Sequence, residues 1–401
     1  MDTQAKSVDP ILTLQVPSSV ASLSFIQQSN STIISSSTQD SSSDEEIDLR
    51  CSSLQQEQPA YGRTATPWQC LSSRYLATSH INGDAFLWDL GRQQIKNKII
   101  TDREGPGLAI KRIWSLDQFM LQTRDPLGIV SLHSCDRDGT PAFVRYETCS
   151  QTFCQASPCI GDPNLLALPS RNDSTATVVD VRDQNPVCVI PATSHGMLTS
   201  LAMSITHGTG RPILACGMES GSIFFHDFSA GRLVKADYKL SKDPILAMDL
   251  APSFGFNGAS LPAAVVIAGM AGDAAEELEL PNTDRGRVAL LKVTLNEYLS
   301  WDVRLRARVS TCRVDEKSAG KPGVSICKFR PGDGRLWAVG GWDYRVRLFD
   351  RSRGNPLAIL RGHKSSIGAL DWAPDADSSG LLASSGTADR QIFVWQCFSR
   401  R

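Results

Sequence analysis

Short runs in which apolar and polar residues alternate, each broken by Gly, Pro, Asp or Asn, recur along most of the chain. Period-two patterning of this kind predicts antiparallel strands joined by tight turns. The clearest copies are "GVSICKFRPGDGRLWAVGGWDYRVRLFD" and "NPLAILRGHKSSIGALDWAPDADSSGLLASSGTADRQIFVWQCF". Each opens on an apolar run (Val324, Cys327, Phe329; Ile367, Leu370, Trp372) that ends at a Pro. A small-residue strand follows, then a turn at an Asp (Asp343; Asp389) and a strand closing on an aromatic (Phe349; Trp395). The closing aromatics are 46 residues apart, and such recurrence signals a repeat architecture.

The unit extends upstream. Its opening spacing returns at Val20/Leu23/Phe25, Leu198/Leu201/Met203 and Ile245/Met248/Leu250, and in a looser form in "LAIKRIW" and "TFCQASP". Closing strands align at Trp88, His133, Val179, His226, Lys292, Phe349 and Trp395, in steps of 45, 46, 47, 66, 57 and 46 residues. Four of those steps are close to the roughly 40–45 residues of a four-stranded propeller blade. The two long steps contain "SFGFNGAS" with "GDAAEELELPNTD", and "RVDEKSAGKP". In the first complete unit, Asn82-Gly83 marks a hairpin turn. The expectation is an all-β, seven-bladed WD40-type β-propeller occupying residues 1–401 as a single domain. The last unit stops at its third strand, so Ile11–Gln15 is expected to supply the missing outer strand and close the ring, because an unpaired edge would leave the backbone unsatisfied.

One segment breaks the pattern. Residues 30–66, "NSTIISSSTQDSSSDEEIDLRCSSLQQEQPAYGRTAT", are rich in Ser, Gln and acid and too poor in apolar residues to form a core, so a disordered insert within blade 1 is expected. Ser41, Ser42 and Ser43 each have an acid three residues later and are candidate phosphorylation sites, whose modification would deepen an acidic patch for a basic partner. The 252–285 and 313–322 segments read as further loops suited to partner contact.

Composition narrows the function classes. The chain carries 41 basic against 42 acidic residues, which offers no electrostatic case for nucleic acid or an anionic membrane. No apolar run approaches the ~20 residues of a membrane span, and the polar start lacks a signal-peptide core. A soluble intracellular protein is expected. The 11 cysteines include no Cys-x-x-Cys pair. The five-residue spacing of Cys149, Cys154 and Cys159 does not suit zinc, so no metal is expected.

The candidate chemistry is structural. His363, Ser384, Asp389 and Trp395 occupy the places at which WD-type repeats build a hydrogen-bonded chain satisfying buried polar groups. A hydrolase triad is the competing reading, but no nucleophile elbow accompanies these residues. The glycine-rich pieces lack phosphate-loop and dinucleotide fingerprints. No enzyme activity, cofactor or small-molecule substrate is expected. Trp342–Arg345, "WDYR", invites comparison with the signature of cullin-4 substrate receptors, but that signature closes a third strand, whereas here it falls in the turn before one.

The turn "GWDYRVR", "LAIL" before His363, and an ending just past "FVWQCF" resemble the last two blades of the ASTRA-associated protein 1 family, which includes guanine nucleotide-binding protein beta-subunit-like protein 1. The resemblance implies a non-catalytic WD-repeat scaffold in the nucleus and cytoplasm. It also implies a multi-subunit assembly linked to the Tel2–Tti1–Tti2 co-chaperone, to maturation of phosphatidylinositol 3-kinase-related kinases and to chromatin remodelling. Alternatives are a substrate receptor of a cullin-4 ubiquitin ligase and a histone-peptide reader. The reader would need an acidic and aromatic pocket at the ring's central opening.

Overall fold

The computed structural model describes residues 6–26, 75–99, 105–113, 118–134, 144–191, 194–206, 210–227, 234–252, 263–270, 288–295, 301–309, 323–331, 334, 336–350, 356–374 and 380–397. Residues 30–66, with Ser41, Ser42 and Ser43, lie outside them, as does all of 313–322. The 252–285 segment is not all loop: its apolar centre forms the strand Ala263–Met270, as a run of β-branched and small residues at strand length would.

Among the described residues every regular element is a β-strand, and the strands follow one another as antiparallel meanders. The first is Val20–Ile26, Tyr75–His80, Ala85–Asp89 and Gln94–Ile99; the second is Gly107–Arg112, Gln118–Thr123, Ile129–Ser134 and Val144–Glu147. Next come Ser157–Ile160, Leu165–Pro169, Ala176–Asp180 and Pro186–Ile190, then Leu198–Ile205, Pro212–Met218, Ser222–Asp227 and Val234–Lys239. These two are joined into an eight-stranded sheet by a parallel pair, Cys159 with Met203 and Ile160 with Ser204. Ile245–Pro252, Ala263–Met270, Val288–Leu295 and Trp301–Val309 form another. Val324–Phe329, Leu336–Gly341, Val346–Asp350 and Pro356–Leu360 follow. The chain ends with Ile367–Trp372, Leu381–Gly386 and Gln391–Gln396, beside which Leu12–Gln15 lies as the fourth strand.

Two details at the N-terminus depart from the sequence pattern. The strand beside Gln391–Gln396 begins at Leu12, although the Ile11 N–H still donates to Val394 O. A further strand, Lys6–Val8, pairs in parallel with Ala358–Leu360, where no alternating run marks it. The third meander opens at Ser157–Ile160, overlapping only the last two residues of the looser run "TFCQASP".

Side-chain alternation sets which face is buried. In Leu12–Gln15 the leucines are buried and Thr13 and Gln15 exposed. Leu12 and Leu14 enter a core that also holds Leu23 and Phe25 of the first meander and Ala369, Ile392 and Val394 of the last. Trp337, Trp372 and Trp395 are among the largest fully buried side chains.

First strands of successive meanders pack side by side, and glycine allows the approach. A Cβ on Gly340 would lie 2.6 Å from Cγ2 of Ile367, the apolar residue that opens the next meander. The predicted hairpin at Asn82-Gly83 is present: Gly83 has φ 90°, its N–H donates to His80 O, and Asn82 Oδ1 accepts the Asp84 N–H. That backbone conformation is one that only glycine adopts without steric cost.

Candidate protein-interaction site at the central channel

The structure brings His363, Ser384, Asp389 and Trp395 together at the last hairpin. His363 Nδ1 lies 2.7 Å from Asp389 Oδ2, Nε2 lies 2.8 Å from Ser384 Oγ, and Trp395 Nε1 donates to the same Oγ at 2.8 Å. Since a carboxylate only accepts, Nδ1–H donates to Asp389, while Nε2 and the Trp395 N–H meet at Ser384 Oγ. Burial pushes the Asp389 carboxyl up, but the hydrogen bond and charge of His363 and two backbone N–H groups outweigh it and hold it below its ordinary value. Every polar atom of the chain is thereby occupied by another, leaving no reactive group pointed at solvent.

Two related networks escaped the sequence reading. In the first meander Trp88 Nε1 donates to Thr78 Oγ1 at 3.0 Å, Thr78 meets His80 Nε2 at 3.0 Å, and His80 Nδ1 donates to the Ser18 carbonyl. Here a backbone carbonyl takes the place of Asp389. The signal was available, because Thr78 faces Phe86 as Ser384 faces Phe393. In the turn at Asp343, Arg347 replaces the histidine: Nη1 and Nη2 bind the two Asp343 oxygens at 3.0 and 2.6 Å in a buried bidentate pair. Trp342 to Arg345 stands in that turn, between Leu336–Gly341 and Val346–Asp350.

The first strands of the meanders line one central cavity. Ser24, Lys111, Ser157, Ala202, Asp249, Lys328 and Asp371 each pair with a residue of the second strand of their meander (Ala77, Met120, Ala167, Ala215, Ile267, Ala338 and Ala383). Polar groups in this layer tie adjacent meanders. Asp371 Oδ2 accepts the Phe25 N–H at 2.9 Å, Ser24 Oγ accepts the Arg112 N–H at 3.1 Å, and Asp249 Oδ2 accepts the Phe329 N–H at 2.7 Å. Each side chain thus takes the N–H one residue further along the neighbouring strand. Lys111 Nζ donates to Ala156 O at 2.8 Å across the next junction. Burial, then the Lys328 ammonium beside it, pulls the Lys111 pKa down to about 7. Burial also opposes charge on Lys328, but Asp249 and Asp371 more than offset it and hold that ammonium protonated.

Lys111 and Lys328 divide the channel into two mouths. On one side is a cavity of about 360 Å³ whose charged lining, among the described residues, is Lys111, Arg112, Lys328, Arg330, Asp249 and Asp371. On the other is a wider opening of about 760 Å³ with Ile81, Phe153 and Met197 on its wall. Phe153 is 67% exposed, and the Arg124 guanidinium lies 3.7 Å from its ring centre, a cation–π contact that holds the ring up to solvent. Ile81 and Met197 are also exposed. These three side chains share the lining of that opening. The lining of neither mouth is acidic and aromatic in the way a reader of basic histone tails needs: among the described residues the first is net basic, and the second has Asp173 as its one carboxylate.

Cys154 and Cys159 are buried thiols whose pKa values burial pushes up to about 12, which removes thiolate character.

Comparison with known proteins agrees with this architecture. Residues 354–396 match the WD domain, G-beta repeat. The chain is 23% identical over 341 residues to guanine nucleotide-binding protein subunit beta-like protein 1 of Mus musculus, covering 83% of this chain and 90% of that protein. It is 25% identical over 278 residues to ASTRA-associated protein 1 of Aspergillus flavus, covering 63% of this chain and 55% of that protein. The β-propeller domain of Cps50 (Swd1) from Myceliophteria thermophila superposes with a TM-score of 0.59 at 15% identity, covering 81% of this chain and 93% of that domain.

Proposed function

We propose that this chain, an all-β WD-repeat propeller related to ASTRA-associated protein 1, is a non-catalytic scaffold subunit of an ASTRA-like assembly linked to Tel2–Tti1–Tti2. In this reading it acts in maturation of phosphatidylinositol 3-kinase-related kinases and in chromatin remodelling, in the nucleus and cytoplasm. The relatives' names support the assembly. The observation that carries a binding role is Phe153, held exposed by Arg124 beside Ile81 and Met197 at the wide mouth. Aromatic groups presented on a stiff frame are the usual energetic anchors of protein interfaces. Phosphorylation at Ser41, Ser42 or Ser43 would add a second, charge-based contact.

The frame of this scaffold is a ring of seven blades. Its support is the succession of meanders and the side-by-side packing of their first strands, including Ile367–Trp372 against Val20–Ile26. Pairing of Leu12–Gln15 with Gln391–Val394 supports closure by the N-terminal strand.

Affinity purification of the tagged chain with mass spectrometry tests the function. The expected result is recovery of the Tel2, Tti1 and Tti2 proteins by the wild type and their depletion by fivefold or more with Phe153→Asp. Recovery of a cullin-4 ligase linker in their place would support the substrate-receptor alternative and sink the scaffold assignment.

A further inference from the structure

The fourth strand of each meander lies farthest from the central cavity, where its outer edge is open to pairing. An open edge is a template for another chain, and natural proteins blunt it with charge or cover it. Charge is the device on four of these strands, through Lys98 on Gln94–Ile99, Glu147 on Val144–Glu147, Lys239 on Val234–Lys239 and Arg304 on Trp301–Val309. Leu12–Gln15 exposes the polar Thr13 and Gln15 instead. The remaining two, Pro356–Leu360 and Pro186–Ile190, contain neither a charged nor a hydrophilic side chain.

These two strands are equivalent residue for residue. Each opens on a proline placed by a bulge opposite the closing position of its third strand, Pro186 opposite Val179 and Pro356 opposite Phe349. One of the pair is covered: Lys6–Val8 runs in parallel along Ala358–Leu360, and Leu357 and Ile359 are half-buried. Beside Pro186–Ile190 no such strand lies among the described residues, and the matching Val187 and Val189 are 49% and 58% exposed.

We propose that Pro186–Ile190 is a docking edge for an extended segment of a partner protein, which adds as a fifth strand in the way that Lys6–Val8 adds to Pro356–Leu360. The recognised segment is uncharged, with apolar β-branched side chains at alternate positions to cover Val187 and Val189. Backbone hydrogen bonds along the edge supply affinity, and the two valines supply the preference for apolar side chains. A segment, rather than a second copy of the same strand, is the occupant, because the covered twin is filled by a parallel strand. Two copies of one edge related by a two-fold axis pair antiparallel. This surface is separate from Phe153, and it adds a contact to the scaffold reading without resting on which assembly the chain joins.

Fluorescence anisotropy with the purified full-length chain provides the test. The probes are a labelled peptide alternating valine and threonine and its fully N-methylated counterpart, which keeps the side chains but has no backbone donors. The first is expected to bind and the second to bind at least tenfold more weakly. Val189→Lys should weaken binding tenfold or more, and Val187→Lys gives an independent reading in the same direction. Ile95→Lys, at an exposed apolar residue of another fourth strand, should leave binding unchanged. Amide hydrogen exchange at residues 187–190 should slow when the peptide is added. Equal binding of the two peptides, equal losses in Val189→Lys and Ile95→Lys, or unchanged exchange at residues 187–190 would each overturn the proposal. So would a dimer of the peptide-free chain that Val189→Lys abolishes, since the edge would then belong to a second copy.

Discussion

Single residues here act chiefly by satisfying, or failing to satisfy, buried polar groups. Trp395→Phe removes one donor from Ser384, which keeps His363, so a loss of about 1 kcal/mol is expected; Ser384→Ala strands both Trp395 Nε1 and His363 Nε2 and should cost about 2–3 kcal/mol. Denaturant unfolding of the two variants distinguishes these sizes. Asp389 adds a pH dependence. Its folded pKa lies below the ordinary 3.8, so its contribution is present above that value and is lost as pH falls through the folded one. His80 acts at milder acidity. Burial lowers its pKa from 6.5, so the unfolded chain takes up a proton more readily, and stability falls as pH drops below 6.5.

Lys111 works in the same direction over a higher pH range. Its pKa falls from 10.5 unfolded to about 7 folded, so between those values the unfolded state binds more protons and stability rises with pH. Below about 7 both states are protonated and the penalty of a buried ammonium is felt in full. The groups that set this are Lys328, Cys154, Asp249 and Asp371 on the surrounding segments. Lys111→Met should therefore stabilise the protein at pH 6 and lose most of that gain by pH 10, as urea unfolding at the two pH values would show. A gain that did not shrink with pH would mean that Lys111 stays charged in the fold.

At the scale of elements, the junctions between meanders decide stability. Gly340→Ala would place a Cβ 2.6 Å from Ile367 and 2.8 Å from Ile326, in a contact between neighbouring strands that has no slack. A loss of about 1–3 kcal/mol is expected, measured as a lower denaturation midpoint. The same elements show how far a sequence can be read. Hairpins at Asn82-Gly83, Asp343 and Asp389 were legible because turns have local chemistry. The third meander's opening strand was not, since Ser157–Ile160 is short and contains Pro158, and it owes its place to Met203 and Ser204 across a parallel pair. Lys6–Val8 was illegible for the same reason: three residues become a strand only because Ala358–Leu360 offers an edge.

At the scale of the whole molecule, Leu12–Gln15 pairs with Gln391–Val394, far away in the chain. Leu14→Asp puts a charge into the core shared by the first and last meanders. It should loosen that pairing and core, raising hydrogen exchange at Gln391–Gln396 and Val20–Ile26 well before exchange rises at Leu198–Ile205. Uniform protection in that variant would show that Leu12–Gln15 is dispensable.

The sequence by itself determined the strand content, the repeat spacing, most turns and the His363–Ser384–Asp389–Trp395 set, because each depends on neighbours a few residues away or on a period that repeats. It also displayed a polar residue before the last apolar position of several opening strands: Ser24, Asp249, Lys328 and Asp371. Only the tertiary structure decided what those residues do. Their partners, Phe25 for Asp371 and Phe329 for Asp249, lie 346 and 80 residues away in the chain. The charge of the central channel and the exposure of Phe153 likewise arise where distant strands converge, and no local pattern encodes that convergence.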